Sequence, residues 1–254
     1  MNLKALCISD LGRSRDINED SCAYIKLKDD VYLLIVADGM GGHSAGEVAS
    51  KMAVNSITDF FRNNLNNDKK LDDIKKLVQE SILKANRDIY QNSILNSKYS
   101  GMGTTVTLAL IYKGTMIVGH VGDSRAYLYK KGRLEKVTTD HSLVAELVKN
   151  GTITEAEALH HPQKNIITRA LGVDEDIKID IVVQEIEEGN RILLCTDGLS
   201  NMVYDDEIEE RLKSYKDIEE AAHDMVDTAN NRGGFDNITV IIADVVKLSE
   251  EVER

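Results

Sequence analysis

An α+β layered sandwich is the fold class this sequence predicts, on three observations. Strand-like runs cluster with strand-like runs and helix-like runs with helix-like runs, rather than alternating as βαβ units. The stretches 33–37, 192–196 and 238–242 are unbroken apolar runs, as expected of strands covered on both faces. The central segment 104–138 turns at Lys113-Gly114 and Lys131-Gly132, and connections this short imply antiparallel pairing.

In chain order, strands are expected at 3–9, 23–28 and 31–37. Gly39, Gly41, Gly42 and Gly46 then mark a loop, and Ser44 with Glu47 forms a capping box for a helix. That helix carries Val48, Met52, Ala53, Ile57, Phe60 and Phe61 at helical spacing, which gives it one buried face. After the polar stretch 63–70, a second amphipathic helix carries Leu71, Ile74, Leu77, Val78, Ile82, Ala85 and Ile89, and the two should cover one sheet. Strands follow at 105–110, 116–121 and 126–129. Residues 140–171 are more polar, with short helical pieces near 143–148 and 154–159, and read as a flap laid over the domain. Strands resume at 178–183 and 191–196, helices at 206–212 and 218–229, and a last strand runs 238–245.

A chain of 254 residues can bury a large core, and its single proline, Pro162, leaves no proline-rich linker, so one domain spanning 1–254 is expected. The 31 Lys and Arg are outnumbered by 43 Asp and Glu, and the net charge of -12 argues against nucleic acid or an anionic membrane as a partner. No charge-free apolar stretch approaches about 18 residues and the start resembles no signal peptide, so a soluble cytoplasmic protein without membrane insertion is expected. Cys7, Cys22 and Cys195 are odd in number and lie in or beside apolar runs, and they read as reduced core residues rather than a disulfide or zinc site.

The chemistry resides in the acidic residues. Asp38 and Asp197 stand where two buried runs break off at Asp-Gly, and Asp236 sits just ahead of a third run. Asn18-Glu19-Asp20 follows the N-terminal apolar segment, and Gly122-Asp123-Ser124 follows 117–121. Singly, each is an ordinary turn signal. Five acidic strand ends exceed what turns require and suggest one shared cation. Aspartate oxygens without suitably spaced His or Cys select magnesium or manganese over zinc or copper. Two such ions, about 3.5–4 Å apart, both polarise a phosphate ester and supply hydroxide at neutral pH, so hydrolysis is the reaction implied. Arg15, three residues ahead of Asn18, offers a guanidinium fork to the phosphate; a surface ion pair with Asp16 or Glu19 is the alternative.

Two other readings weaken on inspection. The loop 38–46 runs from a strand into a helix N-terminus, a natural anion site, yet it matches neither G-x-G-x-x-G nor the P-loop. Its glycines better serve a backbone that approaches a metal held by Asp38. Cys7 and Arg13 have the C-x5-R spacing of cysteine-dependent phosphatases, but Asp10 falls where the phosphate would sit and Cys7 lies within an apolar run. Among the histidines, packing is the reading for His120 and packing or capping for His141; His160 and His161 in the flap have no partners at ligand spacing, and His43 on the glycine loop could protonate a leaving alcohol.

Taken together, the segments Arg15-Asp16-Ile17-Asn18-Glu19-Asp20, Val36-Ala37-Asp38-Gly39-Met40-Gly41-Gly42-His43, Gly101-Met102-Gly103-Thr104-Thr105, Gly122-Asp123-Ser124-Arg125, Thr139-Asp140-His141-Ser142, Thr168-Arg169-Ala170-Leu171-Gly172, Cys195-Thr196-Asp197-Gly198-Leu199 and Asp236-Asn237-Ile238-Thr239-Val240 resemble the metal-dependent serine/threonine phosphatases of type 2C, especially small bacterial members. They come in that family's order and span nearly the whole chain. The resemblance implies two central antiparallel β-sheets forming a sandwich flanked by α-helices on both sides, with a flap subdomain at about 142–165 bordering the cleft. It implies a core site of two Mn2+ or Mg2+ ions and a weaker third. Asp38 would bridge the two, Asp197 and Asp236 would complete the first ion's site, and the Gly39 carbonyl would serve the second. Glu19 and Asp20 would act mostly through water, and Asp123 would share the third ion with Asp197. Arg15 matches the phosphate-binding arginine. The implied activity is hydrolysis of phosphoserine and phosphothreonine in proteins by a metal-activated water, without a covalent phosphoenzyme. Phosphorylated proteins, a serine/threonine kinase and that kinase's targets are the implied partners, and a monomer is expected. Met40 follows Asp-Gly where animal relatives place a histidine, which separates His43 from that role by a loop insertion. A catalytically silent phosphoprotein adaptor is the alternative, although no metal carboxylate is missing.

Overall fold

The computed structural model describes residues 2–41, 45–66 and 69–246. The expected capping box at Ser44, and His43 with its suggested acid role, lie outside the described residues. The chain opens with β1 (Asn2–Asp10), β2 (Asp20–Lys28) and β3 (Val31–Met40), followed by α1 (Ala45–Asn64) and α2 (Leu71–Leu95). A short β4 (Gly103–Thr104) leads into β5 (Val106–Tyr112), β6 (Thr115–Val121), β7 (Arg125–Lys130) and β8 (Arg133–Lys136). The flap holds α3 (Leu143–Lys149) and α4 (Glu155–Leu159). Then come β9 (Asp180–Glu185), β10 (Arg191–Cys195), α5 (Asp197–Ser200), α6 (Asp205–Ser214), α7 (Ile218–Asn231) and β11 (Ile238–Val246).

Two antiparallel sheets result, one ordered β1-β11-β10-β7-β8 and the other β2-β3-β5-β6-β9, with β4 added beside β3. The side-chain alternation of β3 shows how the layers form. Leu33 and Ile35 point to α1 and α2, whereas Leu34 and Val36 point to the opposing sheet, where they meet Leu194, Ile241 and Ala243. Each such side chain contributes about 1.5–3 kcal/mol by leaving water. On the far side, Leu193, Val240 and Ile242 pack against Ile208, Leu212 and Met225 of α6 and α7. The expected sandwich with helices on both outer faces is therefore observed.

Three expectations need correction. Leu71, expected on the buried stripe of α2, is the first residue of that helix and is exposed, the buried stripe beginning one turn later at Ile74. The buried stripe of α1 is Ala45, Ala49, Ala53, Ile57 and Phe61, with Val48, Met52 and Phe60 half-buried at its margins. Alanines at the contact let the helix lie close to the sheet, so Val48, Met52 and Phe60 sit at the edge, while Ala53, Ile57 and Phe61 are buried as expected. Cys7 and Cys22 form a disulfide, with their Cα atoms 6.9 Å apart, rather than remaining reduced. Cys7 is on β1 of one sheet and Cys22 on β2 of the other, so the bond joins the sheets through the core between them. Only Cys195 is free, and it is buried as expected.

Candidate active site

One end of the sandwich gathers the acidic residues because antiparallel register brings their strand ends together. Asp20 opens β2 and Asp38 lies near the end of β3, and the two are direct register partners. In the other sheet Cys195 pairs with Val240, so Asp197, two residues beyond, and Asp236, ahead of β11, lie at the same end of neighbouring strands. Asp123 follows β6. A hydrogen bond from Thr196 Oγ1 to Asp20 Oδ2 (2.8 Å) ties the two sheets at this edge.

Each carboxylate is held by the backbone and side chains around it. The Asp38 main chain is fixed on both sides: its N–H donates to Thr105 Oγ1 (2.9 Å), and its carbonyl accepts from Thr104 Oγ1 (2.9 Å) and Thr105 N–H (2.8 Å). Asp197 heads α5 and accepts from Asn201 Nδ2 at Oδ2 (2.9 Å). Asp236 accepts its neighbour Asn237 N–H at Oδ1 (2.9 Å) and Arg15 at Oδ2 (2.8 Å). Gly39 is required where it stands, because a Cβ there would meet the Gly46 carbonyl oxygen at 2.1 Å and the Glu19 carbonyl oxygen at 2.6 Å. Gly198 is equally constrained, since a Cβ would lie 2.0 Å from the Asn237 carbonyl oxygen. These contacts press the Glu19, Asp38 and Asp236 segments against one another.

The electrostatics are those of crowded anions. Burial, and then repulsion from Asp20, Asp197, Asp123 and Asp236, hold the Asp38 carboxyl well above the usual carboxylate range. Burial raises Asp20 to about 7 despite hydrogen bonds from Thr239 and Thr196, and Asp197 and Asp236 add to the rise. Burial, then Asp197 and Asp140, raise Asp123 to about 8. Asp197 is raised by burial and by Asp236, and Glu19 by burial against the pull of the Gly46 and Glu47 N–H groups. Arg15 faces the cluster: burial weakens its charge, but Asp236, Asp38 and Glu19 outweigh that and raise it.

Three carboxylate oxygens in this cluster, Glu19 Oε1, Asp20 Oδ1 and Asp197 Oδ1, are buried and accept no hydrogen bond. Buried acceptors are ordinarily paired, so oxygens left over in a group of like charges fit a hard divalent cation. Among the described residues, no three His, Cys, Asp or Glu side chains close around one point as a finished coordination sphere.

The predicted site residues Arg15, Glu19, Asp20, Asp38, Asp197 and Asp236 are thus brought together, and Asp123 lies close enough to repel the Asp38 and Asp197 carboxylates. The alternative reading of Arg15 is corrected in its partner: the ion pair is with Asp236, not Asp16 or Glu19. Other histidines stay out of the chemistry. His120 is buried against Thr107 and Thr139, and burial with the neighbouring His141 lowers it to about 4, so it is neutral. His141 accepts the Gly122 N–H at Nδ1 (3.0 Å), leaving Nε2–H for Asp180 (3.2 Å), and so braces the turn that carries Asp123.

Asn237 is the residue that sequence reasoning passed over. Its side chain accepts the Glu19 N–H (2.8 Å) and donates to the Leu11 (2.9 Å) and Ile17 (3.1 Å) carbonyls, so it anchors the loop that carries Arg15. Its position beside Asp236 was the available signal. No described helix is long and apolar enough to cross a membrane.

A family model described as protein phosphatase 2C matches residues 12–238. The serine/threonine phosphatase stp of Listeria monocytogenes serotype 4b is 41% identical over 236 residues, 93% of each chain. The solved serine/threonine phosphatase of S. agalactiae is similar at a TM-score of 0.89 and 38% identity, covering 96% of this chain and 100% of that one. The catalytic domain of the serine threonine protein phosphatase PstP, solved in complex with two manganese ions, is similar at a TM-score of 0.85 and 35% identity, covering 96% and 99%.

Proposed function

The chain belongs to the protein phosphatase 2C family, and on that footing we propose that it removes phosphate from phosphoserine and phosphothreonine in proteins, with its residues 1–254 acting as one catalytic domain. The observation that carries the reading is the set of donor-less buried oxygens of Glu19, Asp20 and Asp197 around Asp38.

In this reading Asp38, Asp197, Asp236 and the Gly39 carbonyl would hold two Mn2+ or Mg2+ ions, Glu19 and Asp20 would assist through water, and Asp123 with Asp197 would hold a third. Such ions supply Lewis acidity at the phosphate and lower the pKa of water to near neutrality. The protein's own part is positioning. Asn201 and Asn237 N–H fix one oxygen of Asp197 and of Asp236, so that the other is presented in a set direction. Asp236 orients Arg15 through one guanidinium nitrogen, and the remaining N–H donors are available to phosphate oxygens, whose negative charge they neutralise. Phosphoryl transfer asks chiefly for such alignment and charge stabilisation. Cys7 is bonded to Cys22 and offers no thiolate, which removes the support for a cysteine mechanism. A serine/threonine kinase and its targets are the matching partners.

Phosphate release from a phosphothreonine peptide tests this reading. Wild type should turn over with manganese and stop on chelation, and Asp197→Asn and Asp236→Ala should be inactive. Equal activity of wild type and both variants would refute the metal site.

A further inference from the structure

Three of the large apolar side chains left exposed by the fold line one groove: Leu159 at the end of α4 (49% exposed), Tyr204 just ahead of α6 (44%) and Phe235 (63%). The groove has a volume of about 550 Å³ and is open to solvent. Apolar side chains gathered in this way mark interaction surfaces, whereas singly scattered ones are unremarkable.

Its place beside the acidic cluster says what it serves. Phe235 immediately precedes Asp236, and Asn201, also in the wall, donates to Asp197. The facing wall belongs to the flap, through Leu159, His160 and Lys164. The one carboxylate in the lining, Glu207, is taken up by Arg232, whose two terminal nitrogens lie 2.6 Å from its oxygens. Lys164, in contrast, has no carboxylate within ion-pair distance among the described residues. On a protein of net charge -12, this groove therefore combines an apolar lining with unneutralised positive charge.

We propose that this groove selects substrates: resting on the phosphatase reading above, it takes an apolar side chain two or three residues from the phosphorylated Ser or Thr, with an acidic residue beside it met by Lys164. Two or three residues of extended chain span roughly 7–10 Å, enough to leave a phosphate at Arg15 and reach a groove that begins one residue from Asp236. A small molecule is a poorer occupant, because the groove is open to solvent rather than enclosed.

A set of phosphothreonine peptides tests the proposal, with one Leu moved through the three positions on either side of the phosphate and a neighbouring Asp or Lys. p-Nitrophenyl phosphate, which has no flanking residues, reports the basal reaction. Wild type should favour one Leu position by about tenfold in kcat/KM, the value of partial burial of one side chain. Phe235→Ala should abolish that preference and Lys164→Glu should reverse the preference for Asp, with p-nitrophenyl phosphate turnover unchanged in both. A wild type indifferent to Leu position, or a preference that survives Phe235→Ala, overturns the groove's role. Wild type inert towards p-nitrophenyl phosphate with manganese would overturn the phosphatase reading itself, and the groove's role with it.

Discussion

Asp20 and Asp38 face each other as register partners across the β2–β3 ladder, at the edge of the most apolar part of the molecule. Like charges directly opposite destabilise a strand pair, and burial makes the repulsion harder to screen. Hydrogen bonds from Thr196 and Thr239 relieve Asp20 only in part, since Asp20 Oδ1 has no donor. Protonation or a cation between the strands relieves the repulsion, so cation binding at this site should be linked to folding.

Asp38→Asn separates the two consequences. Removing one member of the like-charged pair should stabilise the metal-free protein by up to about 1 kcal/mol. The same change should lower phosphatase turnover by about a hundredfold or more, because a charged group that organises the transition state is gone. Thermal melts in chelator alongside phosphate release would check both; a lower melting temperature in chelator would show that the pair is not repulsive.

Stability without metal should fall as pH rises. Asp20 at about 7 and Asp123 at about 8 lie above the ordinary aspartate value of 3.8, so the folded protein keeps protons that the unfolded chain has released. The stability this contributes is complete at low pH and is lost between about pH 4 and about pH 8. Manganese should flatten or reverse the trend, since the ionised carboxylates are the form that binds it. Melting temperatures across this range, with and without manganese, provide the measurement.

Asn237→Ala should cost about 1–3 kcal/mol, because the Leu11 and Ile17 carbonyls and the Glu19 N–H lose a buried partner together. It should also reduce kcat/KM by loosening the loop that carries Arg15. Asn237→Asp keeps the acceptor but turns a carboxylate oxygen onto the Leu11 and Ile17 carbonyls beside the acidic cluster, so its urea midpoint should fall at least as far as that of Ala.

Replacing Cys7 and Cys22 with Ser should lower stability by about 3 kcal/mol, as expected for opening a loop of 15 residues. Manganese-dependent phosphatase activity should survive at a temperature where the variant is folded. Loss of activity in a folded Cys7→Ser protein would reinstate a thiol mechanism.

The large elements were legible because apolar periodicity is local: the runs in β3, β10 and β11 and the stripe of α2 from Ile74 to Ile89 occur where the residues alone place them, Leu71 at the helix start excepted. The short α5, β4 and the rotated stripe of α1 were not, because a four-residue helix and a two-residue strand carry no period and α1 turns its alanines inward to fit a sheet formed elsewhere in the chain. At the site, Asp38, Asp197 and Asp236 were visible as charges that interrupt apolar runs. The anchoring role of Asn237 was not, because it depends on three groups more than two hundred residues away.

By itself, the sequence determined the layered α+β class and the gathering of acidic residues at strand ends, since both are written in the order of apolar, glycine and aspartate residues. The tertiary structure alone decided that Asp20 stands opposite Asp38, that Arg15 pairs with Asp236, and that Cys7 meets Cys22 between the sheets. Those contacts arise from strand register and from the packing of one sheet on the other. Both bring together residues far apart in the chain, and no spacing along it records the result.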